Sequence, residues 1–359
     1  MITYIAMFLY PAFSDLVKWS TKGLLASFHW ILVGLALILL IGLRHEVGGD
    51  WLDYLNNKNY GNLGGLSLSE ALTTYFAGDV AYILVHWLSV NYGYGIYSTN
   101  LFCAALLVFG LLRLCGRMPY PWIALAVSVP VLVILAGMGY TRQGAAMGLV
   151  MLGLVSLMQN DFFKYLCCVA LACLFHKTAI FLLPIAFIYI LPNTDRRALI
   201  VYGVAVLVLA MVVFWVLGQR FLLLFRFYIV ENLWAGYDLT GAISRMSLTV
   251  VAASFLLLFR DAWRKRFNDY YLWLGFSTAI FLLLFLLPVA SVVADRLSFW
   301  LIPLQLVVFS RLPILISDRY FRSLFVVTTL SVYLLALLVW LNFATHAYHW
   351  LPYSNILFL

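Results

Sequence analysis

Four cationic side chains of this sequence stand where apolar helices are predicted to begin. Arg142, Lys177, Arg245 and Arg296 each fall in the first turn of a segment predicted to enter the membrane from outside. The helix macrodipole already places positive charge at that end, so an exposed cation there costs about 0.3–1 kcal/mol. Helix N-termini with arginine forks bind phosphate, which would offset this cost. The four cations therefore predict a phosphate site, although interfacial arginines also reach lipid headgroups.

Polar residues precede three of these cations. Thr141, Ser244 and Asp295 are predicted N-caps, since side-chain oxygens at this position accept from the first free amides of a helix. A further cation, Arg44, opens the stretch "RHEVGGDWLDY" at 44–54. There Arg44 could hold a phosphate, or it could pair with Asp50 in a purely structural role.

The same stretch offers groups for a sugar substrate. Gly48 and Gly49 would let the backbone turn close to a ligand, and Asp50 and Tyr54 would orient sugar hydroxyls. Asp50 and Asp53 also form a D-x-x-D pair, which favours a solvated loop over a metal site. No metal and no other cofactor is predicted.

The elements that position these residues are membrane helices. Hydrophobic residues make up 65% of the 359 positions and charged residues only 10%, which excludes an ordinary soluble domain. In lipid, each backbone amide must be satisfied within its own segment, so continuous apolar runs indicate helices. The sequence therefore predicts one all-α domain over 1–359, a polytopic transmembrane helical bundle.

About 20 apolar residues are needed for each span. The apolar runs predict twelve: 2–17, 24–43, 98–113, 119–137, 142–158, 162–175, 178–191, 198–218, 244–260, 270–288, 296–310 and 323–342. The run 78–91 is short and carries Asp79 and His86, so it is predicted to be a re-entrant or interfacial helix. It lies in a predicted outward loop, 44–97, and a second outward loop is predicted at 219–243.

Charge asymmetry orients this topology. One side would hold fourteen Lys and Arg against six acids, and the other side eight of each. The positive-inside rule makes the first side cytoplasmic, which places both termini outside. The net charge of +8 is then explained by topology and gives no reason to expect a nucleic-acid partner.

Five short motifs occur in order over roughly 40–310: "RHEVGGDWLDY", "GDVAYILVHWLS", "GYTRQGAAMGLVM", "FHKTAIFLLP" and "DRLSFWLIPLQL". Together they resemble the EpsG-like branch of the Wzy polysaccharide polymerases. The resemblance implies a glycosyltransferase in the bacterial cytoplasmic membrane with its active site facing outward. It would transfer a growing glycan from undecaprenyl diphosphate to a new lipid-linked repeat unit, as in O-antigen or exopolysaccharide synthesis, by one inverting, metal-independent displacement. The partners implied are these lipid-linked oligosaccharides, membrane lipid and a chain-length regulator protein.

Residue roles follow from this chemistry. The predicted diphosphate ligands are Arg44, Arg142, Lys177, Arg245 and Arg296. His176 is the first candidate for the general base and Asp50 or Glu46 the second. Tyr54, Gln143 and Asp53 are predicted sugar ligands, and the loop 219–243 is predicted to shape sugar specificity. His176 could equally close a tight turn as a satisfied polar residue. As a phosphate or sugar ligand instead, it would be compatible with a reaction that needs no protein base.

Two other functions stay open from the sequence. An O-antigen ligase of similar architecture would transfer finished glycan to a different acceptor. A flippase of lipid-linked sugars would carry internal repeats and ionisable groups near the midplane. The absence of a visible repeat and the gathering of charge on one face favour an enzyme.

Overall fold

The structure is a computed structural model that describes residues 1–17, 23–51, 63–74, 78–184, 204, 239–288 and 290–359. Asp53 and Tyr54 lie outside the described residues. So do the predicted helix 198–218, apart from residue 204, and most of the predicted loop 219–243. The described residues form helices and no strand, with one isolated bridge between Arg44 and Asn355. The predicted all-α fold class is confirmed.

The described residues divide into two compact units, Met1–Ala179 with Phe309–Leu359, and Ile180–Val308. The first unit contains α1 (Ile2–Leu16), α2 (Leu24–Gly42), α3 (Leu68–Thr74), α4 (Val80–Tyr92), α5 (Ile96–Cys115), α6 (Pro121–Gly139, whose second part is a π-helix), α7 (Thr141–Leu157), α8 (Phe162–Phe175) and α14 (Arg319–Phe343). The second contains α9 (Leu239–Leu258), α10 (Arg260–Arg266), α11 (Tyr270–Leu286) and α12 (Ser291–Ser298). Helix α13 (Pro303–Leu315) includes the boundary between them.

The predicted number of about twelve spans is not confirmed. Three described helices are long and apolar enough to cross a membrane: α5, α6 and α14. The number rises to five if each of two bent pairs is one span, α9 with α10 at 77° and α12 with α13 at 46°. Four shorter apolar helices lie at Ile2–Leu16, Ala26–Gly42, Phe162–Phe175 and Tyr270–Leu286. Several predicted spans, among them 2–17 and 162–175, correspond to helices of fewer than about 18–20 residues, which by themselves are short for a membrane crossing.

Helix α7 lies in the core of the first unit, and glycines set its close packing. A Cβ at Gly148 would overlap the Leu106 carbonyl oxygen of α5, and one at Gly110 would overlap the Gly148 carbonyl. A Cβ at Gly144 would lie 3.1 Å from the Ala136 carbonyl oxygen of α6. The "GAAMG" pattern at 144–148 is thus a close helix contact of the small-xxx-small kind. The contact between Gly144 and Ala136 fixes the beginning of α7 against α6.

The loop after α2 is held by the C-terminal segment. Gly48 N donates to the His349 carbonyl at 2.8 Å, and Trp350 Nε1 donates to the Ile134 carbonyl of α6 at 3.2 Å. Gly48 has a φ of +111°, and a Cβ there would overlap the Met138 carbonyl oxygen. The glycine is therefore needed for a close approach between the loop and α6, and its approach to a substrate stays a prediction.

The described residues of the segment 44–97, for which one short helix was predicted, include helices α3 and α4. Helix α4 begins directly after Asp79, as expected from the run 78–91. It is 13 residues long, too short to span a membrane. Asp79, the residue directly before this helix, is the first residue of the candidate site.

Candidate functional site

Four ionisable residues from three segments of the first unit meet around one carboxylate. Arg142 Nη1 lies 2.9 Å from Asp79 Oδ2, and His176 Nδ1 lies 3.9 Å from the same oxygen. The side chain of Asp79 is only 7% exposed, whereas those of Arg142 and His176 are 26% and 21% exposed. Lys177 is the fourth member. We call these residues the Asp79 cluster: Asp79, Arg142, His176 and Lys177.

The charges of the cluster determine the ionisation of Asp79. Burial raises the pKa of its carboxyl group, while the His176 imidazole, the Arg142 guanidinium and the Lys177 ammonium each lower it. The three neighbours outweigh burial, so the pKa of Asp79 lies below its ordinary value of 3.8. Asp79 is therefore a buried carboxylate at neutral pH. Arg142 and Lys177 together exceed the charge of Asp79 by one positive charge.

Arg142 is placed by the beginning of α7, as the sequence predicts. It is the second residue of this helix, and the side chain of Tyr140 does not cap the helix. The guanidinium lies over the ring of Tyr82 from α4, with Cζ 5.9 Å from the ring centroid. The predicted cap at Thr141 is wrong: Thr141 lies inside the helix, and its hydroxyl accepts from Arg44 Nη2 at 2.8 Å.

His176 and Lys177 are placed by a break between two helices. His176 has extended backbone angles, φ −158° and ψ 110°, and directly follows α8. Its backbone amide still donates to the Ala172 carbonyl at 2.8 Å. Lys177 begins a 3₁₀ helix, Lys177–Leu182. The predicted helix 178–191 is therefore a 3₁₀ turn at its start, and residues 185–191 lie outside the described residues. The break turns both side chains toward Asp79.

Arg44 is buried, with only 1% of its surface exposed. Its Nε donates to the Val47 carbonyl at 3.0 Å and its Nη1 to the Ile41 carbonyl at 2.6 Å. Nη2 donates to Thr141 Oγ1 and, at 3.4 Å, to Asn100 Oδ1. A cation at the C-terminus of α2 also suits the helix dipole. These contacts join the loop after α2 to α5 and α7 and keep Arg44 from the surface.

In the second unit, Arg245 of α9 forms a two-pronged ion pair with Asp295 of α12. Nε donates to Oδ1 and Nη2 to Oδ2, each at 2.8 Å. Arg245 is the seventh residue of α9, and Asp295 and Arg296 lie inside α12, so neither arginine is in a first helical turn. The predicted caps at Ser244 and Asp295 are wrong for the same reason. Both helices begin about five residues earlier than the apolar runs suggest. Arg296 is exposed.

The remaining predicted residues differ in exposure. Glu46 is 72% exposed, has a φ of +52° and lies 3.9 Å from His45 Nε2. Asp50 is half-buried. Gln143 follows Arg142, and its buried Nε2 has no hydrogen-bond partner within the described part of the chain. A buried amide donor without a partner is costly, so a ligand oxygen there would be favourable.

A family model supplies the independent evidence on this chain. The model of the EpsG family matches residues 27–355. The chain belongs to the EpsG family. No curated protein and no solved structure matches it significantly. The match includes every residue of the Asp79 cluster.

Membership of the EpsG family suggests a polysaccharide polymerase-like, and hence glycosyltransferase-like, function. Together with the apolar helices, it also indicates a membrane protein. The resemblance given by the five sequence motifs is confirmed at the level of the family.

Asp79 is the residue of the candidate site that sequence reasoning missed. It stood inside the quoted motif "GDVAYILVHWLS" without a role. Two signals could have identified it. An acid preceding a short apolar helix is an N-cap candidate, and an ionisable group in an apolar segment is a functional candidate with a partner to be found.

Proposed function

We propose that this protein polymerises lipid-linked oligosaccharide repeat units at the outer face of the bacterial cytoplasmic membrane. The acceptor is a hydroxyl at the non-reducing end of one repeat. Its oxygen bonds to the anomeric carbon of the growing glycan, while the bond from that carbon to the diphosphate breaks. Undecaprenyl diphosphate leaves with the electron pair, and the hydroxyl proton passes to a base.

The Asp79 cluster is the observation that carries this proposal. Family membership suggests a polymerase-like reaction, and the donor that we propose for it carries a diphosphate. Arg142 and Lys177 supply two cations near Asp79. The first turn of α7 supplies backbone amides, and the Tyr140 side chain at the N-cap position does not cap them. Arginine, lysine and helix N-termini are each established phosphate ligands.

Charge stabilisation is the first task of the cluster. Departure of the diphosphate builds negative charge on the leaving group, and fixed cations stabilise this charge most in a site sheltered from water. Arg142 is held on one side by Asp79 and lies over the Tyr82 ring. Its geometry is thus preorganised. These cations would do the work that a divalent metal does in other phosphate-transfer sites, so we expect the reaction to need no metal.

Proton removal is the second task. A hydroxyl is a weak nucleophile, and a positioned base contributes about 10²–10⁴-fold. His176 is the best-placed candidate because it is partly exposed beside the proposed phosphate ligands. Its Nδ1 faces Asp79, so Nε2 is the nitrogen that would accept the proton. Glu46 and Asp50 are second candidates, on the loop that Arg44 joins to α7.

The other predicted residues receive different roles. We assign Arg44 to structure, because it is buried among acceptors that join three segments. We assign Arg245 to structure as well, because both oxygens of Asp295 already engage its fork. Exposed Arg296 stays a candidate phosphate ligand. Gln143, with its unpaired Nε2, is the preferred sugar ligand, and Asp53 and Tyr54 stay predictions.

The test is the surface glycan of a deletion strain complemented with the wild type or with Arg142→Gln. Polymerase loss should leave surface lipid capped by a single repeat, and only the wild type should restore long chains. Surface lipid without any cap would indicate a ligase instead. Repeats trapped inside the cell would indicate a flippase. Either of those profiles would overturn the proposed function.

A further inference from the structure

One carboxylate oxygen serves two partners in the Asp79 cluster. Oδ2 of Asp79 lies 2.9 Å from Arg142 Nη1 and 3.9 Å from His176 Nδ1. The first distance is a charge-assisted hydrogen bond. The second is longer than a hydrogen bond, but catalytic contacts in ligand-free proteins are often long and shorten when the substrate binds.

We propose that Asp79 is a positioning residue of the transfer reaction, whose Oδ2 fixes Arg142 and orients His176 so that diphosphate ligand and base keep one geometry. This inference rests on the proposed function. It assigns Asp79 no direct contact with the substrate. The carboxylate acts through the two side chains that would touch it.

The burial of an ionised Asp79 is energetically unfavourable and therefore suggests a functional role. An ionised carboxylate that is 5% exposed requires compensating partners, and replacement of a buried ion pair by apolar residues is often neutral or stabilising. The charged groups that face Asp79 are Arg142 from α7, and His176 and Lys177 from the segment after α8. The sequence predicts all three for catalysis or phosphate binding. Its partners are thus the proposed working groups of the site.

The negative charge has a defined effect on His176. An ionised carboxylate facing Nδ1 favours the tautomer with its proton on Nδ1, which leaves the Nε2 lone pair for the acceptor hydroxyl. It also stabilises the imidazolium formed when Nε2 takes the proton. This is the role that an aspartate plays toward histidine in hydrolase triads.

Asp79 also couples the position of the proposed diphosphate ligand, Arg142, to that of the proposed base, His176. Arg142 and His176 come from α7 and from the break after α8, which are separate segments. A side chain that contacts both keeps the diphosphate ligand at a fixed position relative to the base. Misplacement of a reacting group by about 1 Å can cost on the order of 10²-fold in rate.

The test uses purified full-length enzyme and an undecaprenyl-diphosphate-linked repeat, with kcat and KM measured from about pH 5 to pH 9. Asp79→Asn keeps the size and an acceptor oxygen but removes the charge. We expect kcat to fall on the order of 10²-fold, with a much smaller change in KM. We also expect the acidic limb of the pH profile to move to lower pH, because imidazole protonation loses its facing anion.

A double variant separates positioning from mere structure. If Asp79 acts through His176, Asp79→Asn combined with His176→Gln should lose little more kcat than His176→Gln alone, because residues that act as a unit are not additive. Multiplied losses, or an acidic limb of Asp79→Asn identical to that of the wild type, would overturn the inference.

Two further variants keep the test decisive. Asp79→Glu retains the charge and serves if Asp79→Asn does not fold: it should lose kcat yet keep the position of the acidic limb, and a shifted limb would count against the proposal. Asp295→Asn breaks the ion pair with Arg245 and should lower thermal stability without changing the shape of the pH profile. Failure of the proposed function is recognised separately, by a wild-type enzyme that forms no polymer.

Discussion

Two arginine–aspartate pairs, one in each compact unit, differ in how the carboxylate is used. Asp295 places both oxygens on Nε and Nη2 of Arg245, each at 2.8 Å. Asp79 places one oxygen, Oδ2, toward both Arg142 and His176. The first geometry is the fork-to-fork arrangement with which an arginine also binds phosphate. A phosphate at Arg245 would therefore have to compete with Asp295.

The comparison teaches that an arginine's role depends on what already occupies its fork. Both arginines looked equivalent as cations near helix starts. In the structure, Arg245 is in the second turn of α9 and is engaged by a complete carboxylate fork. Arg142 is in the first turn of α7 beside a histidine and a lysine. The environment of Arg142 favours a ligand-binding role, and that of Arg245 favours a link between α9 and α12.

The largest expected effect comes from His176. His176→Gln keeps hydrogen bonding but removes the proton acceptor, so kcat should fall about 10²–10⁴-fold. The acidic limb of the pH profile should also disappear, while binding of the lipid-linked donor changes little. Steady-state kinetics and a binding assay measure the two properties. Near-normal turnover would move the search for a base to Asp50→Asn and Glu46→Gln. Weak binding with an intact pH profile would make His176 a substrate ligand.

The next effect contrasts the two arginines directly. Arg142→Lys keeps the charge but loses the planar fork, so turnover should fall on the order of 10²-fold at every pH, as for loss of one preorganised donor. The matched change, Arg245→Lys, should lower thermal stability more than turnover, because its fork binds Asp295. Polymer formation per folded enzyme and thermal unfolding measure the two outcomes. A larger loss of turnover in Arg245→Lys would return Arg245 to the phosphate site.

Arg142 lies in the first turn of α7 and Lys177 begins a 3₁₀ helix, close to the helix starts that the sequence predicts. Both are polar interruptions of apolar runs, and such interruptions mark the ends of helices. Arg245 and Arg296 were misplaced because both helices begin earlier than predicted, at Leu239 and at Ser291. Helix boundaries depend on the contacts of the first turn, which an apolar pattern does not contain.

Asp79 and Arg44 show what a single sequence leaves out. The ion pair between Asp79 and Arg142 joins positions 63 residues apart, and the contact of Arg44 with Thr141 joins positions 97 apart. Nothing in the local pattern at either residue specifies such a distant partner. The burial of Arg44 likewise depends on remote segments, including the C-terminal one that carries Asn355. Tertiary packing therefore determines which arginines are buried and which stay accessible to a substrate.

The smallest expected effect concerns the stability that the Asp79 charge provides. The pKa of Asp79 is lowered in the folded protein, chiefly by His176, Arg142 and Lys177 acting against burial. Folding thus favours the ionised form, and the resulting stabilisation is fully present above the ordinary value of 3.8. It is lost as the pH falls through the lower pKa of the folded state. Asp79→Asn should accordingly be less stable than the wild type near pH 7, by roughly 1.5–3 kcal/mol for a charged hydrogen bond.

Thermal unfolding in detergent between about pH 7 and pH 3 measures this difference. The gap between the wild type and Asp79→Asn should stay constant down to about pH 4 and narrow below it, because protonation of Asp79 makes the two proteins alike. Glu70→Gln is a matched control: the pKa of Glu70 is also lowered, by its hydrogen bonds from Ser67, but this carboxylate is exposed to water. Its removal should leave unfolding nearly unchanged, because solvent screens such surface contacts. A gap that widens on acidification would mean that folding favours the protonated form of Asp79, and the buried carboxylate could then not serve as the charge that orients His176.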